Sequence, residues 1–173
     1  MSGTAYRLFF ALWPDDATRQ ALVQWQTHNL ATDVRPQHRE DLHMTLHFLG
    51  RVDAAQVGAL HDLGASVREP PFTVVIDDIG YWSGPQVLWA GPTSLPGELV
   101  ALHRQLGEGL ASLGLPLDER EYRPHITLAR KVLREPCSLP LQPFTWLIDG
   151  FALVETRPGT VPAYRPLARW RLG

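Results

Sequence analysis

An α+β fold of two similar lobes, each a sheet backed by helices, is what this sequence predicts, on three observations. Short β-type runs alternate with helical periodicities. The second half of the chain repeats the order of the first. Several connections are too short for the crossover helices that a doubly wound parallel sheet needs. At 173 residues the chain matches one domain of roughly 150 residues, and we read 1–173 as a single two-lobed domain. Its 15 prolines predict many short elements separated by firm turns.

The first element is a β-type run, Arg7–Trp13, followed by an N-cap candidate at Asp15 or Asp16 and a helix to about Asn29. Ala17, Ala21, Leu22 and Trp25 make its apolar face. A polar stretch, Thr32–Asp41, leads into a strand over His43–Gly50 and a helix over Ala54–Val67, with Val57, Leu60, Leu63 and Gly64 on one side. Pro70-Pro71 ends that helix. Strands follow at Phe72–Ile79 and Val87–Ala90, joined by the turn residues Ser83-Gly84-Pro85. From Pro96 the order starts again, with a helix to about Leu113 carrying Leu99, Leu102, Leu106 and Leu110. A loop through Pro116 and Pro124, a strand at His125–Arg130, and strands near Thr145–Glu155 and Tyr164–Leu172 complete the chain.

Sixteen basic residues against eighteen acidic ones leave a formal charge of −2, which excludes a bulk electrostatic grip on duplex nucleic acid or an anionic membrane. The apolar run Leu8–Trp13 is too short for a signal-peptide core and no stretch approaches a membrane span, so the expectation is a cytoplasmic protein. Cys137 stands alone and reads as an incidental thiol.

Two words carry the chemistry. His43-Met44-Thr45-Leu46 and His125-Ile126-Thr127-Leu128 share one His-x-Thr-Leu pattern, 82 residues apart, where composition alone gives about 0.07 such words per chain of this kind. On a strand, positions i and i+2 share a face, so each word offers an imidazole and a hydroxyl to one side and anchors two apolar residues on the other. One histidine among apolar residues is usually a satisfied core group. Two in identical contexts, each with a same-face hydroxyl, point instead to a shared site. Facing imidazoles suit phosphoryl transfer, one neutral and accepting a proton from water, the other protonated and giving one to a leaving oxygen, while the threonine hydroxyls donate to phosphoryl oxygens. Nothing in two identical words says which histidine does which job. No metal or cofactor is demanded: His43 and His47 have the spacing of a helical zinc motif, but position 44 is Met, and on a strand the two lie ~13 Å apart.

In this setting the sequence resembles the RNA 2′,3′-cyclic phosphodiesterases, formerly called 2′-5′ RNA ligases, of the two-histidine phosphoesterase superfamily. The likeness runs through residues 7–12, 42–50 and 123–130, then Leu153-Val154-Glu155 and Tyr164. It implies antiparallel-rich sheets lining a central cleft with helices outside, and metal-independent hydrolysis of a terminal 2′,3′-cyclic phosphate to a 2′-phosphomonoester. It also implies His125 as proton acceptor from water, His43 as donor to the departing 3′-oxygen, and Thr45 and Thr127 on the phosphoryl oxygens. The reverse reaction would join ends through a 2′-5′ bond. The partner implied is an RNA 3′ end bearing a cyclic phosphate, and our own expectation for the chain is a monomer.

Around this centre the substrate-binding candidates are Phe9, His47, Tyr122 and Arg130, with Trp89 and Tyr164 as further rings that could stack a base. Strict alternation puts His47 on the face of His43 and Thr45, and puts Arg130 on the face opposite His125 unless a bulge re-aims it. Basic residues gather at Arg120, Arg123, Arg130, Lys131 and Arg134, and again at Arg157, Arg165, Arg169 and Arg171. Two alternatives stay open: the same machinery acting on 2′-5′ oligonucleotides or small cyclic nucleotides, and a nucleotide-binding module without turnover.

Overall fold

A computed structural model describes residues 3–173. The first strand, β1 (Ala5–Leu12), runs into α1 (Asp16–Asn29), whose first turn is capped by the Asp15 carboxylate accepting from the Thr18 N–H at 2.8 Å. The buried stripe of α1 is Thr18, Leu22, Trp25 and Gln26. Ala17, expected in that stripe, is exposed, because residue 18 and not 17 stands one turn before Leu22. The Gln26 amide donates to the Leu128 carbonyl at 2.9 Å, tying α1 to the second His-x-Thr word.

The chain continues through β2 (Met44–Asp53), α2 (Val57–Ser66), β3 (Phe72–Ile76), β4 (Asp78–Trp82), β5 (Val87–Gly91) and α3 (Gly97–Ser112). It ends with β6 (Ile126–Ala129), β7 (Phe144–Ile148), β8 (Gly150–Thr156) and β9 (Tyr164–Arg171). On α3 the four predicted leucines, Leu99, Leu102, Leu106 and Leu110, are fully buried, each contributing roughly 1.5–3 kcal/mol by removal from water.

Seven strands form one sheet in the order β4-β5-β6-β2-β1-β8-β9, and β3 and β7 form a separate ribbon. Every pairing between strands is antiparallel, so the α+β expectation holds and the parallel alternative does not. One face of the large sheet, with Leu8, Phe10, Leu12, Met44 and Ile126, packs against the leucines of α3 and against Val74, Ile76, Trp146 and Ile148 of the ribbon. The other face carries a small second cluster, Phe9, Ala11, Ala152 and Val154, flanked by Trp13 and Tyr164.

Two expected strands are each two strands. Phe72–Ile79 divides at Asp77 and Thr145–Glu155 divides at Asp149, the chain leaving the ribbon for the large sheet at each aspartate. Asp77 secures its corner by accepting from the Thr93 N–H and hydroxyl at 2.8 and 2.7 Å. Both corners follow the same string, Pro-Phe-Thr-x-x-Ile-Asp, at 71–77 and 143–149. The repeat therefore covers strands as well as histidines. Its second copy starts at β5, where β5-α3-β6 matches β1-α1-β2, and not at Pro96. The halves exchange strands: β4 joins β5 and β6 in one lobe, β8 joins β1 and β2 in the other, and β9 has no counterpart.

Candidate active site

The two words meet at the seam between the lobes. β2 and β6 pair at one point, Met44 with Ile126, the middle residues of the words. A local two-fold axis passes between them, and continuing the register by one residue sets His43 across from Thr127 and Thr45 across from His125. Met44 and Ile126 are fully buried in the core, so the flanking histidines and threonines turn to the opposite face.

One backbone device aims both imidazoles. His43 Nδ1–H donates to the Asp41 carbonyl at 2.7 Å, and His125 Nδ1–H to the Arg123 carbonyl at 2.8 Å, in each case two residues back. A carbonyl can only accept, so Nδ1 carries the proton and Nε2 is the free nitrogen of each neutral ring. His43 Nε2 accepts from the Thr45 hydroxyl at 3.1 Å.

Each word also carries a bulge on its leucine. In β2, Thr45 lies opposite Ala11 and His47 opposite Phe10, leaving Leu46 as an extra residue. In β6, Thr127 lies opposite Trp89 and Ala129 opposite Leu88, leaving Leu128 as the extra one. Alternation restarts out of phase after each, which corrects the expectation for His47. It shares the face of Phe10, not of His43 and Thr45, and lines the cleft beside His125 from the α3 side. Its Nε2–H donates to the His103 carbonyl of α3 at 2.7 Å, in a space left by Gly107, where a Cβ would stand 3.3 Å from the ring. The residue five positions after each histidine gains the site-facing side instead. These are Phe48, 57 % exposed, and Arg130, whose charge acts on both His43 and His125.

The surroundings of the two rings differ. His43 is 9 % exposed and enclosed by Phe9, Trp13 and Tyr164, with centroids 4.9, 5.5 and 5.0 Å away, Trp13 stacked nearly parallel. Burial pushes its pKa down to about 4, opposed by the Asp41 carbonyl and reinforced by the Arg130 and His125 charges. His125 meets Trp82 edge-on at 4.6 Å and borders a cleft of about 770 Å³ lined also by Thr45, Phe48, His103, Tyr122 and Arg123. Its pKa is lowered too, by burial first and by Arg130, against the Arg123 carbonyl. Both rings are thereby held toward their neutral form in the free protein.

Among the other candidates, Phe9 is 3 % exposed and packs behind His43, with no face left for a base. Tyr122 donates its hydroxyl to the Thr45 carbonyl at 2.8 Å and stacks on His103 at 4.0 Å, which in turn stacks on His47. Arg120 is engaged by Asp118 at 2.6 Å. Sequence reasoning missed Trp13, Trp82, Phe48 and His103. Only a known bulge position would have turned Phe48 toward the cleft on paper. Among the described residues no group of three or more His, Cys, Asp or Glu side chains could hold a metal ion, and no helix is long and apolar enough to cross a membrane.

Residues 14–160 match the family model described as the 2′-5′ RNA ligase superfamily. The chain belongs to that superfamily. It is 35% identical to the RNA 2′,3′-cyclic phosphodiesterase of Escherichia coli, with 96% of each chain covered. To the Thermus thermophilus protein of the same name it is 32% identical, over 96% of this chain and 90% of that one. In three dimensions it superposes on Escherichia coli LigT complexed with 3′-AMP with a TM-score of 0.87 at 32% identity, covering 98% of this chain and 99% of that one. That superposition spans nearly the whole of both chains, so the α+β architecture, with its large antiparallel sheet and its helices, is one this chain shares with that structure.

Proposed function

We propose that this chain hydrolyses the 2′,3′-cyclic phosphate at RNA 3′ ends, leaving a 2′-phosphomonoester and a free 3′-hydroxyl. The observation that carries the reading is the Met44–Ile126 pairing, which sets two tethered imidazoles and two threonine hydroxyls about one local two-fold axis. His125, beside the open cleft, takes a proton from water on Nε2 as the water oxygen bonds to phosphorus. The P–O3′ bond breaks on the far side, and His43, protonated on Nε2, gives its proton to the leaving oxygen. Thr45 and Thr127 donate to the non-bridging oxygens, and Arg130 neutralises the charge that accumulates there.

His43 must be protonated to act, yet its enclosure holds it neutral in the free protein. The anionic phosphate supplies what is lacking, since an opposite charge in contact with an imidazole favours its cationic form. Substrate binding is thus coupled to proton uptake. The exposed Phe48 ring in the cleft wall offers a face on which the terminal base stacks. Run backwards, the same chemistry would join a cyclic end to a 5′-hydroxyl through a 2′-5′ bond.

The test is product identification. An oligonucleotide ending in 2′,3′-cyclic phosphate is expected to yield only the 2′-phosphomonoester, with turnover nearly abolished in His43→Ala or His125→Ala. A 3′-phosphate product, or full activity in either variant, contradicts the reading.

A further inference from the structure

Asp41 is a buried acid, 6 % exposed, that the mechanism above leaves without a task. Its carbonyl holds His43 Nδ1–H. Its carboxylate does something separate, accepting the backbone N–H groups of Ala163 at 3.0 Å and Tyr164 at 3.1 Å, where β9 begins. The Tyr164 ring thereby stands edge-on to the same imidazole, and edge-on to Phe9 at 5.2 Å. One residue therefore fixes the tautomer of His43 through its main chain and a wall of its enclosure through its side chain.

The second half has no equivalent. The residue two positions before His125 is Arg123, which lends its carbonyl but whose side chain is exposed, and β9 itself has no partner in the repeat. The titratable or charged groups around His43 are Asp41 on its own segment, His125 and Arg130 at the two ends of β6, and Tyr164 on β9; Phe9 and Trp13 contribute uncharged rings. Arg130 and His125 oppose protonation of His43, and Asp41 is the anion that favours it. From this juxtaposition we infer that Asp41 is a positioning residue that makes His43 the proton donor of the pair, by clamping the start of β9 against the ring and by placing a negative charge beside it. The inference rests on the acid role given to His43 above.

The test uses Asp41→Asn, which keeps the size and one accepting oxygen but removes the charge, with Asp41→Ala as the harsher variant. A proton donor sets the alkaline limb of kcat, and losing a nearby anion lowers the donor's pKa. In Asp41→Asn the alkaline limb of kcat is expected to move down by roughly one pH unit, with kcat at pH 8 reduced about tenfold and KM changed less than twofold. Imidazole nitrogen NMR on the ligand-free variant should show the His43 midpoint lowered and that of His125 unmoved. Should Asp41→Ala fail to fold, Asp41→Asn decides alone. An unmoved limb, or a His43 midpoint that stays put or rises, overturns the inference even if activity drops, because loosening β9 without the charge effect relieves burial and can only raise it. The NMR arm needs no turnover, so it still reports on Asp41 if full activity in His43→Ala defeats the acid assignment itself.

Discussion

His43 and His125 hang from the same word, are tethered by the same carbonyl two residues back, and are followed by the same leucine bulge, yet one is enclosed and the other borders an open cleft. Phe9, Trp13 and Tyr164 surround the first, while Trp82 and the cleft flank the second. Duplication supplied two equal nitrogens, and the unequal strands around them, β9 above all, made them different. An enclosed ring is shielded from bulk water and suits protonation of a leaving oxygen. A ring beside the cleft can meet the attacking water.

Breaking either member of the pair should have the largest effect. His43→Ala and His125→Ala are each expected to lower kcat by roughly 10²–10⁴, with the double variant little worse than the poorer single one, because the two act as a unit. Steady-state kinetics on a cyclic-phosphate oligonucleotide measures this, and additive losses would show that the rings work separately. Next come the hydroxyls that stand across the two-fold axis. Thr45→Ala and Thr127→Ala should each reduce kcat by about 10², the scale of one oxyanion donor, and a loss confined to KM would mean that they hold ground-state substrate only.

Arg130 acts on both rings, and its removal should blur their difference less than it moves them together. In Arg130→Ala the midpoints of His43 and His125 both rise toward 6.5 in the free protein, since a nearby cation that disfavours their protonation is gone. KM should rise several-fold, by loss of a charge-assisted phosphate contact. A histidine midpoint that stays put on NMR titration would place the guanidinium elsewhere.

The smallest effect is on stability. A histidine held below its unfolded pKa binds fewer protons when folded, so its contribution is complete above pH 6.5 and is lost as the pH falls toward about 4. For His43 this amounts to about 2 kcal/mol between pH 6.5 and 5, and His103 adds in the same direction. Denaturant midpoints at pH 7 and 5 should differ accordingly, and His103→Phe should flatten the difference. Equal midpoints in the wild-type chain would mean that neither ring is desolvated.

Much of this was legible beforehand. The paired words, the helices and their buried leucines follow from periodicity, and the α+β class from connections too short for crossovers. What strict alternation could not show was the extra residue at Leu46 and at Leu128. Those two bulges have one consequence twice over: His47 turns to the α3 wall of the cleft, and Arg130 turns toward the two rings. A bulge is a property of two strands in register, so no single strand's pattern announces it. The corners at Asp77 and Asp149 were hidden for a related reason, since a strand that changes sheets keeps its apolar run while changing the surface it faces. There the repeated Pro-Phe-Thr-x-x-Ile-Asp string was a signal in the sequence that periodicity passed over.

The central claim is that one phosphate is gripped by both imidazoles at once. It is tested most directly by titrating a nucleoside 2′-monophosphate, the form of the expected product, into the labelled protein while following the ring nitrogens of His43 and His125. One equivalent is expected to raise both midpoints together, with affinity increasing as the pH falls from 7 to 5. A ligand that saturates while shifting only one ring, or neither, would contradict a shared site.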